Sequence, residues 1–280
     1  MFGLITGSGF YDIPELTDRT VQPVDTPFGG PVSVTTGRWR GADVCFIPRH
    51  GSDHSIPPHG INYRANIAAL KTIGARSVVA TAVSGGINAD MPPGAMVLIS
   101  DFLNFTSGRE TTFFDGSGRP ITFPSDEAGG EPGEDQGGEG ADKAVESATP
   151  IKVVHTDMSA PYDPALRAVI LRAAADEAVP LIHGAVYCTT DGPRFETPAE
   201  IRMMRTLGGD LVGMTGYPEV ALAVEAGLPY ASIGLVSNVA AGMADEPLSV
   251  DDIVSLIETA AEPLYRLIGR TVELSGELRP

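Results

Sequence analysis

The sequence predicts an α/β fold in which helices pack against a largely buried β-sheet. Short apolar runs alternate along the chain with amphipathic segments of helical periodicity, which is the pattern of layered α/β proteins. Hydrophobic residues make up 42% of the 280 residues, which is enough for a sizeable core and excludes wholesale disorder. A chain of this length forms one large domain or two small ones. In such folds ligands are expected where the strands end.

Eight apolar runs have the length and composition of β-strands. They are separated by glycine- and proline-containing turns or by segments of helical periodicity. This pattern predicts strands that are connected largely through helices. No internal repeat is visible. The predicted strands are residues 2–6, 32–36, 44–48, 77–83, 96–102, 182–189, 210–214 and 230–237.

Five helices are predicted, two of them from their first residues. Asp163 precedes Pro164, an N-cap followed by proline at the first helical position. Thr197 and Glu200 have the spacing of a capping box. The last helix carries a long apolar stripe that is typical of packed core. The predicted helices are residues 62–73, a segment after 164, a segment after 198, residues 218–226 and residues 249–268.

The acidity of the chain is concentrated in one segment. Residues 125–148 carry eight acidic side chains and one lysine, a net charge of −7, which leaves −10 of the total −17 for the rest of the chain. The segment has six glycines and one large aliphatic side chain, so burial cannot offset the entropy of ordering it. We interpret it as a solvated acidic insertion; a lid or a docking tail is the alternative.

The composition also excludes several classes of partner and location. A net charge of −17 repels nucleic acids and anionic membranes. No apolar run reaches the ~18 residues of a membrane span, and no cleavable signal opens the chain. The two cysteines, Cys45 and Cys188, lie in apolar runs and are expected to be reduced core residues of a cytoplasmic protein.

Two junctions after apolar runs favour binding of an anion. The motif Thr6-Gly7-Ser8-Gly9 combines unhindered backbone amides with a hydroxyl group, although a plain turn is an equal alternative. Arg49 and His50 directly follow the predicted strand 44–48, where a planar guanidinium and a further donor suit an anion. His50, His54 and His59 also raise a zinc alternative, but the spacing lacks helical context and cysteine ligands. We therefore expect no metal.

Two further junctions add small and polar residues. Thr81-Ala82-Val83-Ser84-Gly85-Gly86 brings backbone amides close to a ligand, and Gly213-Met214-Thr215-Gly216 offers a hydroxyl and a main-chain donor. These junctions provide no pairing of a nucleophile with a base. Their recurrence with one arginine indicates a site for a phosphate-like anion.

A carboxylate and an amide indicate a second subsite. Phe195 and Glu196 immediately precede a predicted helix, and Ser237-Asn238 follows the apolar run 230–236. A carboxylate accepts hydrogen bonds from ring NH groups, whereas an amide both donates and accepts, so the pair can read the edge of a heterocycle. The alternative for Glu196 is that it only complements the dipole of the following helix.

These residues together resemble the nucleoside phosphorylase group, which contains 5′-methylthioadenosine phosphorylases, 5′-methylthioinosine phosphorylases and trimeric purine nucleoside phosphorylases. The resemblance covers most of the chain except the acidic insertion and the termini. Its most specific motifs are Arg49-His50-Gly51, Asn62-Tyr63-Arg64-Ala65-Asn66, Thr106-Ser107-Gly108-Arg109, Gly192-Pro193-Arg194-Phe195-Glu196-Thr197 and Met214-Thr215-Gly216-Tyr217-Pro218-Glu219.

The resemblance implies a single domain over residues 1–280, a distorted mixed β-sheet flanked by helices, and a homotrimer with active sites near subunit boundaries. It implies phosphorolysis of purine nucleosides in purine salvage, with inorganic phosphate as co-substrate and no cofactor. The implied phosphate-binding residues are Ser8, Arg49, His50, Ala82, Val83 and Thr215. The implied substrate-binding residues are Ser84, Gly85, Phe195, Glu196, Met214, Asn238 and Ala240, with His155 reaching a neighbouring subunit's 5′ substituent. His50 and Asn238 are the expected catalytic residues.

The resemblance also bears on the purine. Adenine-specific relatives carry aspartates where this chain has Asn238 and Ala240, whereas Glu196 stands in the setting of relatives that use 6-oxopurines. Glu196 can accept from N1–H, which adenine lacks, and Asn238 can donate toward N7 or O6. We therefore expect a preference for inosine, guanosine or 5′-methylthioinosine. Ala82 departs from the Thr or Asn usual in the group, which is expected to alter phosphate affinity.

Three alternatives remain from the sequence alone. The nearest is a 5′-methylthioadenosine phosphorylase, which Asn238 and Ala240 disfavour. Another is a catalytically silent purine-binding module, for which Ala82 is the best support. The most distant is a metal hydrolase built on the histidine cluster.

Overall fold

The computed structural model describes residues 1–10, 12–114, 155–243 and 250–277. The acidic insertion predicted at 125–148 lies outside the described residues. The strands are β1 Phe2–Thr6, β2 Thr17–Thr26, β3 Gly29–Trp39, β4 Ala42–Pro48, β5 Ser77–Gly86, β6 Met96–Leu98, β7 Asp101–Asn104, β8 Ile182–His183, β9 Val186–Thr189, β10 Leu211–Gly213 and β11 Tyr230–Val239. The α-helices are α1 Tyr63–Thr72, α2 Pro164–Asp176, α3 Pro198–Thr206, α4 Gly216–Glu225 and α5 Val250–Leu274, and 3₁₀ turns cover Pro58–Gly60 and Ser275–Glu277.

All the described strands belong to one mixed sheet that branches at β5. One path runs in the order β2-β3-β4-β1-β5-β10-β9-β7, while β11 pairs with β5 and continues through β6 to β8. β5 is parallel to β1 and β11 and antiparallel to β10. The predicted α/β class and the mixed sheet are confirmed.

Two apolar cores lie on opposite faces of the sheet. One contains Ile67 of α1 and Leu222 of α4, and the other contains Leu166 of α2 and Leu267 of α5. A smaller cluster holds Ile201 of α3. Because helices cover both faces, the central strands are buried along most of their length, and polar groups at their ends are held rigidly.

The predicted helix starts are confirmed at atomic detail. The Asp163 carboxylate accepts a hydrogen bond of 2.7 Å from the backbone N–H of Leu166. Thr197 and Glu200 form the reciprocal capping box at the start of α3. Each satisfies backbone donors that a helix leaves unpaired.

Some predicted strand boundaries differ. The runs 96–102 and 182–189 are each divided into two short strands, the second at Gly184, whose φ of +87° turns the chain. β2 had not been predicted, because almost all its side chains are exposed and it carries no apolar face.

Among the described residues no helix combines the length and the apolar character needed to cross a membrane. Cys45 and Cys188 are buried and free. Burial raises the pKa of both thiols to about 12, so neither is poised to react as a thiolate.

Candidate active site

A cavity of about 870 Å³ opens at the ends of the central strands. It collects residues from distant parts of the chain, including twelve of the fourteen predicted site residues. Those twelve are Ser8, Arg49, His50, Val83, Ser84, Gly85, Phe195, Glu196, Met214, Thr215, Asn238 and Ala240.

The position of the cavity follows from the branching of the sheet. β11 occupies one edge of β5 along nearly its whole length. On the other edge β1 pairs with β5 up to Ala80, and β10 joins only at Gly85. Residues 81–84 therefore have no strand partner on that edge within the described chain. Backbone groups left free there are available to neighbouring side chains and to a ligand.

Arg49 fills part of this gap as one member of a buried ion pair. Its Nε and Nη2 donate to the two carboxylate oxygens of Glu219 at 2.9 and 2.7 Å, and its Nη1 donates to the carbonyl oxygen of Thr81 at 2.6 Å. Tyr230 also donates to Glu219, at 2.7 Å. Although burial disfavours the charged guanidinium, the adjacent Glu219 carboxylate raises the pKa of Arg49 above its usual range. Arg49 is thus permanently charged but locally neutralised.

Glu219 is a residue whose role the sequence analysis did not assign. It is the carboxylate in the first turn of α4, a helix that is otherwise almost entirely apolar and buried. A fully buried carboxylate in such a helix requires a partner that compensates its charge. That signal could have indicated a partner, but not that the partner is Arg49, which is 170 positions away in the chain.

His50 is held in one orientation by the backbone. Its Nδ1 lies 2.8 Å from the carbonyl oxygen of Ile56. Burial, together with the positive charge of Arg49, lowers the pKa of His50 to about 4. The neutral ring therefore carries its proton on Nδ1 and presents Nε2 as an acceptor. This differs from the donor role expected from the sequence.

The first glycine-rich junction lies directly against Arg49. The backbone N–H of Gly7 donates to the hydroxyl of Thr81 at 3.2 Å. A Cβ atom at position 7 would lie only 3.0 Å from Nη1 of Arg49, so glycine is needed for this approach. Beyond it, the hydroxyl of Ser8 lies 3.4 Å from Nε2 of His54. The junction thereby brings the Ser8 hydroxyl to the same end of the cavity as Arg49.

The turn that carries Met214 and Thr215 is tied down by Arg109. Nη1 of Arg109 donates to the carbonyl oxygens of Met214 and Tyr217 at 2.9 and 2.7 Å. Nη2 donates to those of Thr190 and Asp191 at 3.1 and 3.0 Å. One buried guanidinium therefore joins two loops of the site. Arg109 lies in the motif Thr106-Ser107-Gly108-Arg109, but its role could not be predicted because all four carbonyl oxygens are distant from it in the chain.

A carboxylate and an amide lie at another part of the cavity. Glu196 is buried and accepts a hydrogen bond of 2.6 Å from the hydroxyl of Thr190. Within the described residues its second oxygen makes no hydrogen bond to the protein. Because Thr197 and Glu200 already cap α3, Glu196 is not needed at that helix end. Phe195, half exposed, lies beside it on the cavity wall.

Two predicted site residues do not line the cavity. Ala82 is buried in the core, and its carbonyl oxygen accepts a hydrogen bond from the hydroxyl of Ser84 at 3.1 Å. His155 is exposed and lies away from the cavity wall of this chain. Conversely, Ile253, Val254, Ile257 and Glu258 near the start of α5 line it, where the sequence had indicated only packed core.

The described residues contain no group of three histidine, cysteine, aspartate or glutamate side chains placed to share a metal ion. His50 and His54 are neighbours, with ring centroids 5.1 Å apart. His50 is already bonded to the backbone through Nδ1.

Comparison with known proteins gives one consistent family. A model of the phosphorylase superfamily matches residues 1–273. The chain is 42% identical to a probable 6-oxopurine nucleoside phosphorylase of Moorella thermoacetica, over 96% of this chain and 91% of that protein. It is also 42% identical to a probable S-methyl-5'-thioinosine phosphorylase of Methanopyrus kandleri, over 97% of this chain and 91% of that protein.

Solved structures with the same fold have other substrates in their names. A methylthioadenosine phosphorylase from Schistosoma mansoni in complex with adenine superimposes with a TM-score of 0.82 at 30% identity, covering 99% of this chain and 92% of that chain. A methylthioadenosine phosphorylase from an antarctic soil metagenomic library superimposes with a TM-score of 0.81 at 29% identity, covering 100% of this chain and 87% of that chain. The compared sequence relatives and structures therefore differ in the purine that their names carry.

Proposed function

The chain belongs to the phosphorylase superfamily, and we propose that it is an enzyme that cleaves the N-glycosidic bond of purine nucleosides with inorganic phosphate. The products are the free base and ribose 1-phosphate or its 5′-substituted analogue, as in purine salvage. One observation carries this proposal: Arg49, His50 and Thr215 share a single cavity with Glu196 and Asn238. The first three suit an anion and the other two suit the edge of a base.

The chemistry needs position and charge more than a protein nucleophile. A phosphate oxygen forms a bond to C1′ while the C1′–N9 bond breaks, and the electron pair passes to the purine, which takes up a proton. Positive charge develops on the sugar and negative charge on the base. A fixed anion beside C1′ and a donor beside the purine lower the barrier.

The phosphate end is built from Arg49, the hydroxyls of Ser8 and Thr215, and backbone groups around Val83. Since Glu219 neutralises Arg49, the guanidinium contributes fixed donors more than net positive charge. The neutral His50, with Nε2 as acceptor, receives a hydrogen bond from a protonated phosphate oxygen or a sugar hydroxyl. Phosphate is the co-substrate, and the reaction requires no metal or organic cofactor.

The base end favours 6-oxopurines. Glu196 accepts from N1–H, which hypoxanthine and guanine carry and adenine lacks, and Asn238 donates toward N7 or O6. A mismatched buried polar group can reduce kcat/KM by about 10⁴-fold. The relatives at 42% identity are named for 6-oxopurine nucleosides or thioinosine, which supports this preference. A 5′-methylthioadenosine phosphorylase is the second candidate, supported by the adenine-bound structure at 30% identity.

The enzyme works in this proposal as a homotrimer in the cytoplasm. Phe195, Met203 and Leu207 are large apolar side chains in and around α3 that stay 50%, 44% and 58% exposed, and Phe195 also lines the cavity. Contact with a neighbouring subunit removes such a surface from water. The exposed His155 then reaches a neighbour's cavity. Two buried free thiols suit a reducing compartment.

Base release from purified protein tests the reaction and its specificity. Inosine, guanosine, 5′-methylthioinosine, adenosine and 5′-methylthioadenosine are compared with and without phosphate, and the mass of the particle is measured by light scattering. We expect phosphate-dependent release with higher kcat/KM for the 6-oxopurines. Higher kcat/KM for adenine nucleosides supports the second candidate. Purine binding without turnover under any condition contradicts both.

A further inference from the structure

Asn238 lies at an irregularity in the pairing of β11 with β5. Val236 is opposite Ser84, and Asn238 is opposite Gly85, so Ser237 is an extra residue in β11. A β-bulge of this kind changes the face to which the following side chains point. The bulge therefore determines where the Asn238 amide is presented.

The amide of Asn238 makes hydrogen bonds at both ends. The hydroxyl of Ser237 donates to Oδ1 at 2.7 Å, and Nδ2 donates to the carbonyl oxygen of Val239 at 2.9 Å. The contact with Val239 shows which end of the amide is the nitrogen, because a carbonyl oxygen at 2.9 Å requires a hydrogen-bond donor. One Nδ2 hydrogen is left for a ligand.

The hydroxyl of Ser237 has two acceptors within hydrogen-bond distance, one closer than the other. The hydroxyl lies 3.3 Å from the carbonyl oxygen of Ser84 and 2.7 Å from Oδ1 of Asn238. Since a hydroxyl has only one proton, the shorter contact is the better hydrogen bond. Ser237 is buried at the wall of the cavity, beside the amide that it contacts.

We propose that Ser237 is a positioning residue that keeps the Asn238 amide as a hydrogen-bond donor toward the purine and thereby favours 6-oxopurine over 6-aminopurine nucleosides. This inference rests on the proposed function. N7 and O6 of a 6-oxopurine are acceptors and match the remaining N–H. The 6-amino group of adenine is a donor and needs an acceptor. With Oδ1 engaged by Ser237, the amide is less able to rotate to provide one.

Substitution of Ser237 separates positioning from folding. Ser237→Ala removes the hydroxyl, and Ser237→Thr keeps it. Ser232→Ala is the matched control, because Ser232 is a buried serine on the same strand that does not line the cavity. In Ser237→Ala we expect the ratio of kcat/KM for inosine to that for adenosine to fall about tenfold, the value of one hydrogen bond. The ratio stays near the unsubstituted protein's value in the other two variants.

The binding of free hypoxanthine and adenine, measured by calorimetry, is a second readout that needs no turnover. The ratio of their Kd values shifts toward adenine by a similar factor in Ser237→Ala. Ratios unchanged in a Ser237→Ala protein of unaltered melting temperature overturn the role of Ser237. Absence of phosphate-dependent cleavage in the unsubstituted protein overturns the proposed function instead, while the binding ratio still decides the role of Ser237.

Discussion

The guanidinium of Arg49 and the carboxylate of Glu219 form a bidentate ion pair whose side chains are only 1% and 0% exposed. The pair connects the end of β4 to the first turn of α4, and Tyr230 adds a third contact from β11. Three elements that converge on the cavity are thereby fixed through one carboxylate. Such a pair provides rigid geometry more than net stability, since desolvation offsets much of its attraction.

Glu219→Gln should destabilise the protein strongly and make its stability more dependent on bound phosphate. The change leaves a buried guanidinium without its counter-charge, a loss of about 3 kcal/mol or more in the free energy of unfolding. An anion bound beside Arg49 then replaces part of the missing charge. We expect added phosphate to raise the melting temperature of the variant more than that of the unsubstituted protein.

Asp176→Asn is the matched control for this prediction. Asp176 pairs with Arg270 at 2.7 Å on the surface, and loss of an exposed pair costs less than about 1 kcal/mol. Equal stability of the two variants, or equal phosphate-induced shifts in Glu219→Gln and the unsubstituted protein, contradicts the role assigned to the ion pair.

The low pKa of His50 should make stability depend on pH between about 6.5 and 4. In the unfolded chain His50 takes up a proton near its ordinary pKa, whereas in the folded protein it stays neutral down to about 4. Because the unfolded state binds the additional proton, stability falls as the pH falls through this interval. His50 alone accounts for about 1–2 kcal/mol between pH 7 and pH 5.

His50→Asn tests this pH dependence, because its amide can still donate toward the Ile56 carbonyl but does not titrate. Urea unfolding at pH 7 and pH 5 measures the difference for each protein. The variant should lose less stability than the unsubstituted protein over this interval. An identical loss in both would show that His50 is not held neutral.

Arg109→Lys should lower activity while the fold persists. Lysine keeps the charge but cannot span the carbonyl oxygens of Met214, Tyr217, Thr190 and Asp191 with a planar fork. The two loops then lose their common anchor, and we expect kcat/KM with inosine to fall at least about tenfold.

Arg64→Lys provides the comparison. Arg64 pairs with Glu110 at 3.3 Å and lies over the ring of Phe28, away from the cavity wall. Its substitution should change kcat/KM by less than about twofold, as expected for a weak, partly exposed pair. If both variants lose activity alike, the anchoring role of Arg109 is wrong.

The sequence predicted residues that act locally better than residues that act through distant partners. Asp163 and Thr197 were identified as helix caps because their partners lie three residues away. Arg49 and Glu196 were predicted as site residues from their chemistry, because a guanidinium at a strand end suits an anion and a carboxylate suits ring NH groups. The roles of Glu219 and Ser237 were not predicted. The role of Glu219 depends on a partner that is distant in the chain. The role of Ser237 depends on a β-bulge, which an alternating pattern of apolar residues does not reveal. β2 escaped because neither of its faces is apolar.

Gly213→Ala should disrupt the turn that carries Met214 and Thr215. A Cβ atom at position 213 would overlap the hydroxyl group of Tyr187 and lie 2.8 Å from the ring carbon that bears it. Tyr187 is fully buried and tightly packed, so the turn itself must shift. Overpacking of this kind costs about 1–3 kcal/mol, and displacement of Thr215 should reduce kcat/KM together with the melting temperature.

Gly30→Ala is the matched control, because a Cβ atom there meets no atom within 4 Å. Melting curves and inosine phosphorolysis of both variants decide the matter: a Gly213→Ala protein as stable and active as Gly30→Ala contradicts the packing of this turn on Tyr187.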